Sequence, residues 1–163
     1  MTPVEINSAQ AADYEDLVQI NRSVPTVAQH DPYLLWLCCT LYNERCFVAR
    51  GGGAEVVGYI LSLPDSDSGS EFLLQIVVRK EWRKFATGKL LLSRHWQWLR
   101  EAKISRVRTS IATSCREGFA LMRIARGMGH RYNQIEWPIR SMPVPRYATD
   151  ELLFEAHVTQ VRQ

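Results

Sequence analysis

The four cysteines of this 163-residue chain (Cys38, Cys39, Cys46, Cys115) contain no CxxC pair, and its four histidines show neither HExxH nor HxxxH spacing. Zinc ribbons, zincin-type centres and disulfide frameworks all need such spacings, so reduced, mostly buried thiols and no metal are expected. Long hydrophobic runs are missing as well: none approaches the roughly 20 residues that span a bilayer. The first ten residues, MTPVEINSAQ, have neither the basic nor the apolar segment of a signal peptide, so a cytoplasmic location without a membrane partner is expected. There is no internal repeat, no low-complexity tract and no GxGxxG, which argues against a dinucleotide-binding doubly wound sheet.

Net charge is also low, at +3, but it is concentrated. Between Arg79 and Arg108 ten Lys and Arg face only Glu81 and Glu101, a local +8 that leaves −5 for the remainder. A basic segment on a mildly acidic chain suits a focused anionic ligand better than a nucleic-acid surface, which would be basic overall with interleaved aromatics. The 46% hydrophobic content and five Trp predict a folded domain with a sizeable core, one domain over 1–163.

The basic segment has internal order. Phe72 to Val78 is an apolar, β-branched run that predicts a buried strand, and Thr87 onward begins a helical pattern with Leu90, Leu91 and Leu92. Between them, Arg79, Lys80, Arg83, Lys84 and Lys89 share a turn with the small residues Ala86 and Gly88. Free amides at a helix start, a helix dipole, positive charge and small side chains together make an anion site.

Elsewhere, strands are predicted over 4–6, 46–50, 55–63, 104–112, 130–140 and 152–158, and helices from about Ser8 to Arg22, Tyr33 to Tyr42, the Thr87 segment to Ala102, and a last one through Met128. Gly51-Gly52-Gly53 is a hairpin connection, because phosphate-cradling glycines precede a helix. The order β α α β β β α β α β β gives an α/β chain with a mixed sheet. The apolar excess of Tyr33–Tyr42 predicts that this helix lines a cavity or interface as well as packing, with Tyr33 and Trp36 on one face.

In this order, Val78, Arg83, Ala86 and Gly88 resemble the V-x-x-x-x-[R/Q]-x-x-[G/A]-x-[G/A] motif of the GNAT acetyltransferases. The resemblance implies a GNAT fold: a mixed, mostly antiparallel sheet of about seven strands with four helices. It further implies acetyl-CoA as co-substrate and direct acetyl transfer to a primary amine. Ile76, Val77 and Val78 would pair with the pantetheine arm, and Val78 N–H would meet the developing oxyanion. Arg83, Lys84, Phe85, Ala86, Thr87, Gly88 and Lys89 would cradle the pyrophosphate, with Cys115 also on the coenzyme side. Ala86 replaces the commoner glycine, which a negative φ would allow.

Within the family the pattern is most similar to the diaminobutyrate acetyltransferases of ectoine biosynthesis, on Pro32-Tyr33, Gln75-Ile76-Val77-Val78, TSIATSCREGFALM and Asp150–Phe154. Leu73-Leu74 and Cys115 depart from that pattern, which has aromatics and Asn there. The resemblance puts the acceptor amine among Tyr33, Trp36, Leu74, Gln75 and Glu151, with Glu151 as an ammonium anchor. Met122 or Ala125 stands where many relatives carry a Tyr acid, so Tyr132, Ser114, Cys115 or a water is left for that role. For the base, Glu71 on the motif strand competes with its reading as a solvated residue, His30 beside Asp31 is a further candidate, and deprotonation through water is the expected route; Gln75 faces either the acceptor or the core. A second copy of the chain is a candidate partner. Two other readings stay open, a non-catalytic acyl-CoA-binding domain and a transferase for protein N-termini or lysines.

Overall fold

The computed structural model describes residues 3–136 and 151–159. Its elements are β1 (Glu5–Ser8), α1 (Tyr14–Ser23), α2 (Pro32–Thr40), β2 (Phe47–Arg50), β3 (Val56–Pro64), β4 (Ser70–Val78), α3 (Thr87–Glu101), β5 (Arg106–Ala112), α4 (Arg116–Gly127), β6 (Asn133–Ile135) and β7 (Glu151–His157). The order is the one the periodicities predict; residues 137–150, where the sixth strand and a Pro-containing loop were expected to continue, lie outside the described residues. One sheet has the order β1-β2-β3-β4-β5-β7-β6, antiparallel throughout except for the parallel pair β4–β5.

Burial on both faces explains the near-continuous apolar runs of β3 and β4. On one face α3 supplies Leu91, Leu92, Trp96 and Leu99, and α4 adds Ala125. On the other, Leu17 and Ile20 of α1 and Leu35, Cys38 and Cys39 of α2 pack against Val48, Tyr59, Leu61 and Val77. His95 is sealed inside α3's packing face, where burial drives its pKa down to about 3 and keeps it neutral.

Two features of this core position the site. Gly118, in the first turn of α4, lies so close to β5 that a Cβ would stand 2.7 Å from Ile111 Cγ2, so glycine lets α4 settle onto the strand. Gly58 does the same between strands: a Cβ there would meet Val77 O at 2.8 Å, directly beside the end of β4.

Two sequence expectations fail here for physical reasons. Glu71 is not solvated: it is 1% exposed, bonded by Ser62 Oγ at 2.7 Å and ion-paired with Arg45. Burial outweighs those partners and raises its pKa to about 7. Among the described residues Tyr33 and Trp36 line neither of the two cavities described below; they stack on each other at 5.8 Å on the outer face of α2, 65% and 40% exposed. The helix buries its Leu35–Cys38–Cys39 side instead.

Candidate functional site

The site begins with a failure of strands to pair. β4 and β5 are joined only at Ser70–Phe72 with Arg106–Arg108, and beyond Phe72 they part. Arg79 N–H bonds Val57 O at 2.9 Å, which fixes the alternation of the β3–β4 ladder. Val77 then bonds toward Tyr59, while Ile76 and Val78, opposite Ile60 and Gly58, turn their amides and carbonyls away from β3 into the gap. Leu73 O on this edge is taken by the Thr109 hydroxyl at 2.9 Å. A strand edge with unspent backbone groups, facing a cleft, can accept another extended chain.

The cleft has two compartments. The smaller, about 300 Å³, lies between the end of β4, the start of α3 and α4, and its wall includes Ile76, Val77, Val78, Arg83, Ala86, Gly88 and Lys89. Residues 80–85 form a 3-10 turn, and Ala86 then takes the left-handed conformation, φ 59° and ψ 21°. The negative φ that would ease an alanine here is not adopted; this alanine bears the roughly 1–2 kcal/mol that a Cβ adds in that region. The reversal from right- to left-handed backbone converges successive N–H groups into an anion-binding concavity. The first α3 bond is Leu90 N–H to Ala86 O, so the amides of Thr87, Gly88 and Lys89 lie ahead of the helical ladder.

Side chains sort differently from the backbone. Arg83 donates from Nε to Val78 O at 3.1 Å and lies 3.7 Å from Glu117, tying the turn to the strand end. Thr87 is buried, its hydroxyl given to Trp82 O at 2.9 Å, so only its backbone is free for a ligand. Lys84 and Phe85 sit on each other, Nζ 5.1 Å from the ring centroid, and stand off the cavity wall.

The larger compartment, about 820 Å³, continues along the gap and shares Val27, Ile76, Glu117 and Leu121 with the first. Its wall brings together Leu74, Gln75, Cys115, Tyr132 and Glu151, as well as the loop residues Thr26 to Asp31. Cys115 thus belongs to this compartment and not to the basic one; its Sγ accepts Gly118 N–H at 3.4 Å as the N-cap of α4. Met122 and Ala125 are on the same wall, and neither can donate a proton. Tyr132 packs edge-on against Trp96, its hydroxyl buried, and burial raises its pKa, so it remains protonated at neutral pH. Among the wall residues the ionisable side chains are His30, Asp31, Cys115, Glu117, Tyr132 and Glu151, without a lysine or arginine.

Gln75 proves to be a brace. Its Oε1 accepts from Tyr59 OH at 2.7 Å and Asn21 Nδ2 at 3.2 Å, and its Nε2 donates to Ala28 O at 2.7 Å. Asn21 adds bonds to Ala28 O at 3.0 Å and from His30 N at 3.0 Å. β4 thereby holds the 26–31 loop over the cavity. His30 beside Asp31 is in the sequence-derived set, whereas Asn21 and Glu117 are not. Ser114-x-x-Glu117 could have marked Glu117 as a first-turn carboxylate, whereas nothing local links Asn21 to a residue 54 positions away.

No protein-family model and no curated protein matches the chain. Solved structures do. The chain is similar to the diaminobutyrate acetyltransferase EctA from Paenibacillus lautus, solved with L-2,4-diaminobutyric acid and coenzyme A: 18% identity, TM-score 0.80, covering 97% of this chain and 96% of that one. It is also similar to the ribosomal-protein-S18-alanine N-acetyltransferase from Escherichia coli (13%, TM-score 0.70, 99% and 97%) and to the PaiA N-acetyltransferase from Thermoplasma acidophilum in complex with coenzyme A (15%, 0.66, 95% and 99%). The chain has the GNAT acetyltransferase fold. Among the described residues no group of His, Cys, Asp and Glu is placed to hold a metal, and no helix is long and apolar enough to cross a membrane.

Proposed function

We propose that this protein is an acetyl-CoA-dependent N-acetyltransferase acting on the primary amine of a small, positively charged molecule, a diamino acid such as 2,4-diaminobutyrate being the model acceptor. One observation carries the reading: the splayed end of β4, where the Ile76 and Val78 backbone faces a basic compartment that opens into an acidic one. The coenzyme fits the first compartment by chemistry. Ile76, Val77 and Val78 offer an edge to the amide-bearing pantetheine arm, and the left-handed turn at Ala86, the amides of Thr87 to Lys89 and the Arg83 and Lys89 charges suit a pyrophosphate.

The thioester supplies the activated acetyl group. Val78 N–H is the donor for the oxyanion that develops on its carbonyl. An alkyl ammonium must first lose its proton, which at pH 7 costs about 4.6 kcal/mol for a pKa near 10.4. Glu151 holds the acceptor's ammonium group at the far wall, and Tyr132 is assigned the proton for the departing thiolate. The acidic wall disfavours carboxylate-rich acceptors and favours a dication, because each unlike pair across a partly dry cavity strengthens binding.

The test is release of free CoA from acetyl-CoA across propylamine, 1,3-diaminopropane, 2,4-diaminobutyrate and a peptide N-terminus. Turnover of the diamines above propylamine is expected. CoA binding that stabilises the fold without turnover on any amine would overturn the enzyme reading in favour of a coenzyme-binding module.

A further inference from the structure

Resting on the transferase reading, we infer that His30 is the general base of the acceptor compartment, its Nε2 taking the proton from the acceptor ammonium. His30 lies on the wall of the larger cavity, in the loop between α1 and α2. Its Nε2 is buried and has no hydrogen-bond partner among the described residues. Its backbone, by contrast, is pinned: His30 N donates to Asn21 Oδ1, and the Asn21–Gln75–Ala28 network fixes the loop to β4. Gln29 adds bonds from Nε2 to Asn21 O at 2.9 Å and to Val24 O at 3.3 Å. An imidazole on the cavity wall, carried by a pinned loop and with one nitrogen unspent on the protein, is positioned to exchange a proton with an acceptor that enters.

The ionisable groups that share the cavity wall with it are Asp31 on its own loop, Cys115 and Glu117 of the α4 start, Glu151 of β7, and Tyr132, of which the Glu151 charge acts on the ring. Burial lowers the His30 pKa and the Glu151 charge opposes that shift; the net direction is down, so the ring is neutral at pH 7. Neutral, as the Nδ1–H tautomer, it has a lone pair on Nε2. An ordinary imidazole lies about four pKa units below an alkyl ammonium and an ordinary carboxylate about six, so the imidazole is the less uphill acceptor. The Glu117 carboxylate is moreover set against Arg83.

The step balances. An N–H bond of the ammonium breaks and an Nε2–H bond forms, giving imidazolium and free amine. The amine lone pair then forms the C–N bond at the thioester carbonyl, the C–S bond breaks with its electrons going to sulfur, Tyr132 protonates the thiolate, and the second proton that the nitrogen loses on becoming a neutral amide restores Tyr132 through water. One proton per turnover leaves the imidazolium for solvent.

The experiment compares His30→Gln with the unaltered protein, using acetyl-CoA and 2,4-diaminobutyrate or the best acceptor from the amine panel. The variant's kcat/KM at pH 7 should fall on the order of 10²-fold, the usual scale of general-base catalysis. Its log kcat/KM should climb with unit slope from pH 6 to 9, tracking free amine, while the unaltered protein is flat above pH 7. CoA affinity should be unchanged, which establishes that the fold is intact, and added imidazole should restore part of the rate to His30→Ala. A His30→Gln protein with unchanged rate and pH profile would overturn the assignment and leave the transferase reading standing. Absence of turnover by the unaltered protein on the whole panel would remove both.

Discussion

The two compartments meet at Ile76 and Leu121 but are built in opposite ways. The basic compartment is local: the end of β4, one turn and the first turn of α3 lie within 76–89, and its principal binding groups are backbone amides. The acidic one is assembled from a loop near residue 28, β4, β5, α4 and β7, its polar groups are side chains from distant segments, and long-range hydrogen bonds hold the loop in place. Backbone-built sites tolerate sequence change as long as the turn survives. Side-chain-built sites change specificity with a single substitution.

The contrast can be broken most forcefully at its charged end. Arg83→Glu removes a cation and the bond to Val78 O and places a carboxylate beside the proposed pyrophosphate site. CoA affinity by calorimetry should fall on the order of 100-fold, about 2.7 kcal/mol, more than any change in the amine KM, although Glu117 on the shared wall loses its Arg83 partner. An unchanged affinity would remove the pyrophosphate from this turn.

On the other side, Gln75→Leu should cost about 1–3 kcal/mol in denaturant unfolding, since Tyr59 OH and Ala28 O lose a buried partner. The KM for the amine should rise more than the Kd for CoA, because the braced loop lines only the acceptor side at residues 28–31. Glu151→Gln should raise the KM for a diamine about tenfold, or 1.4 kcal/mol, and leave propylamine nearly unaffected. Equal effects on both amines would argue against an ammonium anchor.

Two smaller tests concern stability. Ala86→Gly relieves the left-handed strain at φ 59° and should add about 1 kcal/mol, read as a higher thermal midpoint. Glu71 has a folded pKa of about 7, raised from the unfolded 4.5 by burial against the opposing pull of Ser62 and Arg45. Between those values the folded state binds more protons, so this group's contribution is fully present below about pH 4.5 and is lost as pH rises toward 7. Glu71→Gln should flatten that decline in stability curves measured from pH 4.5 to 7.

Sequence periodicity was enough for the element order, because each strand and helix here carries its own pattern: β5 alternates Val107, Thr109 and Ile111 inward, and α3 repeats Leu91, Leu92, His95, Trp96 and Leu99. The basic turn was legible for the same reason, since the strand end, small residues and charges are adjacent in the chain. The acceptor side was not. Tyr33 and Trp36 carry the composition of a pocket wall, yet the rotation of α2 sends them outward. Glu71 and Gln75 sit two alternations apart on one strand and end in different networks, one with Arg45 and one with Asn21.

What the sequence by itself determined, then, is the element order and the basic turn between β4 and α3, because strand end, small residues and charge all come from consecutive residues. Only the tertiary structure decided the rest. The gap between β4 and β5 exists because pairing stops after Phe72, the handedness of Ala86 follows from the turn it must close, and His30 faces a cavity because Asn21 and Gln75 hold its loop there. Those are relations between segments distant in the chain, and no local pattern encodes them.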